Sequence, residues 1–215
     1  GLGFTRLAIQ DLTKRANQPM FSKNKRYVIV FNGEIYNYKI LKKKLEQQGN
    51  KFFTNSDTEV LLKLYEIKGK DFIHDLEGMF AIAIIDQKNG DLFLARDRFG
   101  TKPLYILEDK NTLYFASEIK AFLPFVANND ISWKINEDVL TEQILFRYVS
   151  GENTLVEKVK KFPPGAFATY KNGYLKYKIY YDYAKDKQKF KIRSIDEYVE
   201  YIEEILVNSI KNNLI

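Results

Sequence analysis

Tyr27-Val28-Ile29-Val30-Phe31-Asn32-Gly33-Glu34-Ile35-Tyr36-Asn37-Tyr38 divides into two patterns. The first five residues are an uninterrupted β-branched and aromatic run, which reads as a short strand buried in a core. From Ile35 onward the apolar residues Tyr38, Leu41 and Leu45 recur at spacings of three and four, the period of one helix face. An Asn-Gly pair between two alternating strands would be a hairpin turn. Followed by a helical period, it predicts a strand-to-helix junction at Asn32 and Gly33. There the Asn32 amide and the Gly33 backbone N–H can donate to the negative oxygen of a tetrahedral intermediate, and Glu34 can hold a ligand ammonium. An ordinary loop carries the same letters, because Asn and Gly are favoured in turns of every kind.

Outward from this stretch, a helix is predicted from about Tyr38 to Gln48, with Asn37 as N-cap and Gly49 just past its end. Ser56 and Glu59 form a capping box for a second helix, which buries Val60, Leu61, Leu64 and Tyr65 and stops at Gly69. The period then changes to strands over Met79 to Asp86, Asp91 to Ala95, Leu104 to Leu107 and Thr112 to Ala116, read as an antiparallel meander. A short helix at Glu118 to Leu123 and another from Asn136 to about Tyr148 follow. Pro163, Pro164 and Gly165 break the chain before a hairpin turning at Asn172 and Gly173. Ser194 and Glu197 cap a last helix, to about Asn213. Strand runs flanked by helices predict an α+β layered fold. Val199, Ile202, Leu206 and Ile210 on the last helix need a cover that these residues do not supply, so the sequence reads as a fragment.

Composition narrows the class. The chain has 215 residues, 45% hydrophobic and 15% aromatic, enough for a real core. No apolar run approaches the roughly 18 residues of a membrane-spanning helix. With no Cys and a single His, a disulfide framework and a thiolate metal site are excluded; no metal is expected, and a reducing, cytoplasmic setting is the default. A net charge of +6 raises the question of nucleic acid, as do lysines interleaved with Tyr170, Tyr174, Tyr177, Tyr180, Tyr181 and Tyr183. The stronger reading is a hairpin with lysines on its wet face, followed by a solvated linker from Lys185 to Lys191. Neither nucleic acid nor membrane is an expected partner.

Four pieces form a chemical set: Arg6, the Asn32-Gly33 pair, Glu34, and Asp57 at the start of the capped helix. A free amino acid carrying a carboxamide needs a guanidinium for its carboxylate, acids for its ammonium and donors for the carbonyl under attack. Each piece alone has an ordinary explanation. Arg6 can be a surface ion-pair partner, and Asp57 is favoured at a helix N-terminus by the dipole, worth roughly 0.3 to 1 kcal/mol.

The stretches RLAIQDL (6–12), VFNGEIYNY (30–38), NSDTEVLLKLYE (55–66), LEGMFAIAIID (76–86), LFLARDRFGTKPLY (92–105), FASEIKAFL (115–123) and KKFPPGAF (160–167) resemble the glutamine amidotransferase domain of glutamine-hydrolysing asparagine synthetases. The likeness extends over most segments from Arg6 to Asp182. It implies an N-terminal-nucleophile hydrolase fold, a four-layer αββα sandwich of antiparallel sheets, over residues 1–190. Residues 191–215 resemble the first helix of an ATP-dependent synthetase domain. In that family an N-terminal Cys attacks glutamine and forms a thioester, and the released ammonia travels to adenylated aspartate. By the same resemblance Arg6 meets the glutamine carboxylate, Ile9 and Gln10 line the pocket through backbone groups, Asn32 and Gly33 form the oxyanion hole, and Glu34 and Asp57 hold the ammonium. No cofactor is expected within this stretch. ATP and magnesium belong to the synthetase domain, which with glutamine is the implied partner, and a homodimer is allowed.

The sequence departs from the pattern in lacking the nucleophilic Cys and the ATP-binding loop, and in having Phe4 where the family often has His. Arg96, Asp97 and Arg98 read as a structural ion-pair turn. Two alternatives stay open: an amidotransferase serving another carboxylic acid in polysaccharide or secondary metabolism, and a degenerate, non-catalytic scaffold.

Overall fold

The structure, a computed structural model, describes residues 1–7, 10–129, 131–185 and 194–214. Among the described residues, nine strands form two antiparallel sheets. The larger holds β1 (Met20–Phe21), β2 (Tyr27–Ile35), β3 (Gly78–Asp86), β4 (Leu92–Arg96), β8 (Ala166–Lys171) and β9 (Tyr174–Ile179), side by side in that order. The smaller runs in the order β6 (Thr112–Ala116), β5 (Tyr105–Asp109), β7 (Val159–Lys161). The helices are α1 (Tyr38–Gln47), α2 (Asp57–Lys68), α3 (Leu123–Asn129), α4 (Leu140–Phe146) and α5 (Ile195–Asn213).

Side-chain alternation explains the layering. Successive residues of a strand point to opposite faces, and both faces of β2, β3 and β4 are buried. Ile29, Phe31, Ile82, Ile84 and Phe93 pack with Leu41 and Leu45 of α1 and Val60, Leu61 and Leu64 of α2. Their neighbours Val30, Ala81, Ala83, Leu92 and Leu94 pack instead against Ile106 of the smaller sheet and against Leu104 and Phe162, which adjoin β5 and β7. The far side of that sheet presents Leu107 and Val159 to Phe122, in the helical turn that follows β6, and to Ile131 beyond α3. The order is therefore helices, sheet, sheet, helices, the αββα sandwich. Small residues on the inter-sheet face of β3 and large ones on its helix face account for the unbroken apolar run Met79 to Ile85.

Several expectations are corrected. The strand does not end at Phe31: β2 continues to Ile35, with Asn32, Gly33 and Glu34 opposite Ala81, Phe80 and Met79 of β3. The Asn-Gly pair thus lies within a strand rather than at a strand-to-helix junction. Gly33 makes this fit, with φ +153 and a β3 backbone too close for any Cβ. Asn37 sits at the N-cap position of α1 but makes no side-chain cap. Its amide instead donates to the Asp75 carbonyl (2.8 Å) and accepts from the Glu77 N–H (3.2 Å), tying α1 to the entry of β3. Ser56 accepts from the Thr58 N–H as a cap should, whereas Glu59 reaches past it to the N–H groups of Phe53 and Thr54. The predicted meander is split, because β3 and β4 pair in one sheet and β5 and β6 in the other.

The turn that carries the chain between sheets is structural, as expected, but no ion pair forms between its members. Asp97 is buried, and its two oxygens accept from the N–H groups of Phe80, Phe99, Thr101 and Lys102 and from the Thr101 hydroxyl, at 3.0 to 3.2 Å. Arg96 sends its guanidinium to the carbonyls of Lys102 (2.7 Å), Gly100 (2.7 Å) and Phe162 (2.6 Å). Arg98 lies over the Tyr181 ring, 5.3 Å from its centroid. Asp97→Asn replaces an acceptor oxygen with an NH2 group facing donors, and at least one buried N–H loses its partner. A stability loss of about 2 kcal/mol is expected, read as a lower urea midpoint with an unchanged slope. An unshifted midpoint would show that the carboxylate does not organise this turn.

Candidate functional site

The site is built on the outer edge of β2, where β1 ends. β1 covers β2 only at Val28 and Ile29, so the outward N–H groups of Phe31, Gly33 and Ile35 need other partners. Gln18 takes the first: its side chain accepts from the Phe31 N–H (2.6 Å) and donates to the Phe31 carbonyl (3.1 Å), continuing the ladder with an amide. Asp57 takes the third, its Oδ2 accepting from the Ile35 N–H at 3.2 Å. The middle one is left over. Phe80, opposite Gly33, turns both backbone groups toward Asp97, donating to Oδ2 at 3.1 Å and accepting from the Asp97 N–H at 2.9 Å. In an antiparallel ladder such a residue gives nothing to its opposite number. The Gly33 N–H therefore points out of the sheet edge, with no hydrogen-bond partner among the described residues.

Side chains complete the site around this donor. Asn32 and Glu34 share the face of Val30, toward the smaller sheet, and the Asn32 amide reaches across to donate to the Ser117 hydroxyl at 3.4 Å, just beyond the end of β6. Glu34 accepts from the Gln10 amide at 2.9 Å. The other side-chain atom of Gln10, Oε1, is buried without a partner. Asp57 is delivered by the Ser56 cap, is 6% exposed, and titrates at about 6; burial raises it most, and the nearby Glu34 charge adds to that. Arg6, Gln10, Asn32, Gly33, Glu34 and Asp57 all line one cavity of about 1050 Å³, whose floor is the apolar space between the sheets. The chemistry on offer is an unclaimed backbone donor beside a side-chain amide donor, next to two carboxylates and an orphaned carbonyl oxygen.

A family model described as a glutamine amidotransferase domain matches residues 1–181. The chain belongs to this glutamine amidotransferase family. The amidotransferase domain is 41% identical over 182 residues to asparagine synthetase [glutamine-hydrolyzing] 1 of Bacillus subtilis, covering 84% of this chain and 28% of that protein. It is 50% identical over 121 residues to asparagine synthetase [glutamine-hydrolyzing] 2 of the same organism, covering 56% of this chain and 16% of that protein. Among solved structures, glutamine phosphoribosylpyrophosphate amidotransferase from B. subtilis superposes with a TM-score of 0.54 at 25% identity, over 76% of this chain and 31% of that one. The amidotransferase domain thus spans less than a third of the length of these relatives, and its fold is of the N-terminal-nucleophile hydrolase kind.

Within the amidotransferase domain, Arg6, Gln10, Asn32, Gly33, Glu34 and Asp57 come together on one cavity, but Gln10 reaches Glu34 with its side chain where the resemblance implies backbone groups, and Arg6 is placed differently from the expectation. Its terminal N–H groups donate to the carbonyls of Thr13 (3.0 Å), Gln10 (3.1 Å) and Asp11 and to the Asn17 amide oxygen (2.9 Å). In this arrangement Arg6 organises the loop 10–17, and its Nε–H has no partner among the described residues. Ile9 lies outside the described residues. Gln18 and Ser117, which complete the edge and hold the Asn32 amide, have no signal in the sequence. Asp97 has one: an Asp two and four residues ahead of Phe99 and Thr101 is the spacing of an Asx turn. Among the described residues no helix is long and apolar enough to cross a membrane, and no group of three or more His, Cys, Asp or Glu is placed to hold a metal.

Proposed function

We propose that this domain binds L-glutamine and presents its side-chain amide for hydrolysis, supplying ammonia to a synthetase domain that amidates aspartate. The observation that carries the reading is the Gly33 N–H, left without a partner between two edge donors that have one and directed to the cavity that Asn32, Glu34 and Asp57 also line. The glutamine ammonium is assigned to Glu34 and Asp57. Its carboxamide oxygen is assigned to the Gly33 N–H and the Asn32 Nδ2–H group, which would hold the negative charge of the tetrahedral intermediate. Arg6 is assigned the carboxylate, through its Nε–H or by exchanging loop carbonyls for the carboxylate, a bidentate pairing that outweighs neutral partners. The nucleophile is not among these 215 residues, which contain no Cys. Aspartate as acceptor rests on the names of the relatives, and ATP with magnesium would be held outside this domain.

In the intact protein, glutamine-dependent glutamate release is the direct assay. Asn32→Ala should lower its turnover on the order of 10²-fold while KM for glutamine changes little, because the lost donor matters most once charge develops on the oxygen. An equal rise in KM with turnover intact would move Asn32 from the oxyanion site to simple substrate binding. Asparagine formation from aspartate, ATP and glutamine tests the acceptor separately.

A further inference from the structure

Among the described residues, the Gln10 amide carries the one buried side-chain polar atom without a hydrogen bond. Its Nε2 donates to Glu34 Oε1 at 2.9 Å, which fixes the amide orientation, because the reverse would set two acceptors against each other. An orphaned buried carbonyl oxygen costs roughly 1 to 3 kcal/mol. Nothing in the loop relieves it, although the loop is otherwise well satisfied. Arg6 donates to the Gln10 carbonyl, and Asp11 accepts from the Asn55 N–H at 2.7 Å, which pins the loop to the start of α2 beside Asp57.

Resting on the glutamine reading above, we infer that the Gln10 side chain is a specificity-determining third acceptor for the ligand's primary ammonium. An ammonium on a carbon has three N–H donors, and Glu34 and Asp57 account for two. The third donor of the ligand and the orphaned acceptor of the protein are unmet needs of opposite kind on the same cavity wall. Ligand-free Glu34 holds the Gln10 Nε2–H group in the place an ammonium would take. An incoming ammonium displaces that N–H, and a turn of the amide brings Oε1 from its buried position onto the third N–H. The amide spans little more than 2 Å from nitrogen to oxygen, so the turn needs a side-chain rotation and no backbone movement. Selectivity follows, since a ligand with hydrogen in place of the ammonium leaves Oε1 an orphan.

The test is equilibrium binding of two ligands by calorimetry, to the intact protein with its nucleophile substituted so that glutamine is not consumed: L-glutamine, and its deaminated analogue 4-carbamoylbutanoate. Gln10→Met keeps the side-chain length and removes both polar atoms. The expected result is roughly tenfold weaker glutamine binding, the value of one hydrogen bond to a charged group, with the analogue's affinity unchanged. Gln10→Glu, which keeps an acceptor, should retain the preference for glutamine over the analogue. Equal weakening of both ligands, or no change in their ratio, overturns the role of Gln10 and leaves the glutamine reading standing, provided that Glu34→Gln still abolishes glutamine binding. Absence of glutamine binding to this protein with Gln10 and Glu34 intact overturns both.

Discussion

Asp57→Asn makes the protein more stable at pH 8 and deprives it of glutamine. The Asp57 carboxyl titrates at about 6 in the folded state against an ordinary 3.8, mainly because burial disfavours its charge. A carboxyl raised in this way contributes its full stability below the unfolded value, and that contribution is lost as pH rises through the folded one. Above pH 6 the ionised group opposes folding by about 3 kcal/mol at most. Asn is neutral and its amide oxygen can still accept the Ile35 N–H, so the variant escapes this cost. Thermal unfolding at pH 8 should rise by about 6 to 12 °C, and the difference from the unsubstituted protein should vanish near pH 4. Calorimetry on the same samples should find glutamine binding reduced at least 100-fold at pH 8, where the ammonium has lost one of two charges. For the unsubstituted protein, glutamine affinity should fall as pH drops below 6, with protons released on binding near that pH. A variant no more stable at pH 8 than its parent would refute the buried, strained carboxylate.

That cost has a structural origin. A cation seat must be charged before the cation arrives, so both acids line one cavity, and the Glu34 charge adds to the burial that opposes ionisation of Asp57. Gln10, whose Oε1 is orphaned, and Gly33, whose N–H is unclaimed, line the same cavity. Three groups placed where each alone is unfavourable mark the region as shaped for a ligand, whereas, among the described residues, the turn at Asp97 leaves no buried side-chain polar atom without a partner.

The sequence announces the strands through composition, because β2, β3 and β4 are buried on both faces and read as unbroken apolar runs. It announces the helix starts through Ser56 and Ser194, whose hydroxyls cap α2 and α5, although Glu59 reaches past Ser56 instead of closing the predicted box. The division into two sheets is not legible, since nothing local to Leu92 to Ala116 tells whether β4 pairs with β5 or with a strand some 70 residues later. The Asn32-Gly33 misreading has a similar cause. A positive φ inside a strand is as glycine-dependent as a turn, and the letters do not distinguish them. Arg6 illustrates a third limit: the sequence supplies a guanidinium, but which carbonyls claim it depends on how the loop 10–17 folds back. The resemblance placed six described residues on one cavity, while the groups that position them, Gln18 and Ser117, emerge only from the fold.

Gly33→Ala should be among the most damaging single changes in this domain. A Cβ at residue 33 would lie 2.1 Å from the Met79 carbonyl oxygen and 2.8 Å from the Phe80 Cα, both backbone atoms of the paired strand. Relief would require opening a ladder of nine residue pairs at its functional end. Gly90 sets the scale for backbone strain alone: its φ is +78, but open space surrounds it, so Ala there should cost only about 1 kcal/mol. At Gly33 the overlap is added to the strain, and the loss should exceed about 4 kcal/mol, read as little or no folded protein in a urea titration where Gly90→Ala unfolds cooperatively. The same bare backbone that allows β3 to approach leaves the Gly33 N–H uncovered at the cavity, so one glycine serves both the sheet and the site. A Gly33→Ala protein that folds with near-parental stability would mean that β2 and β3 do not meet in this register, and the outward N–H deduced from it would go too.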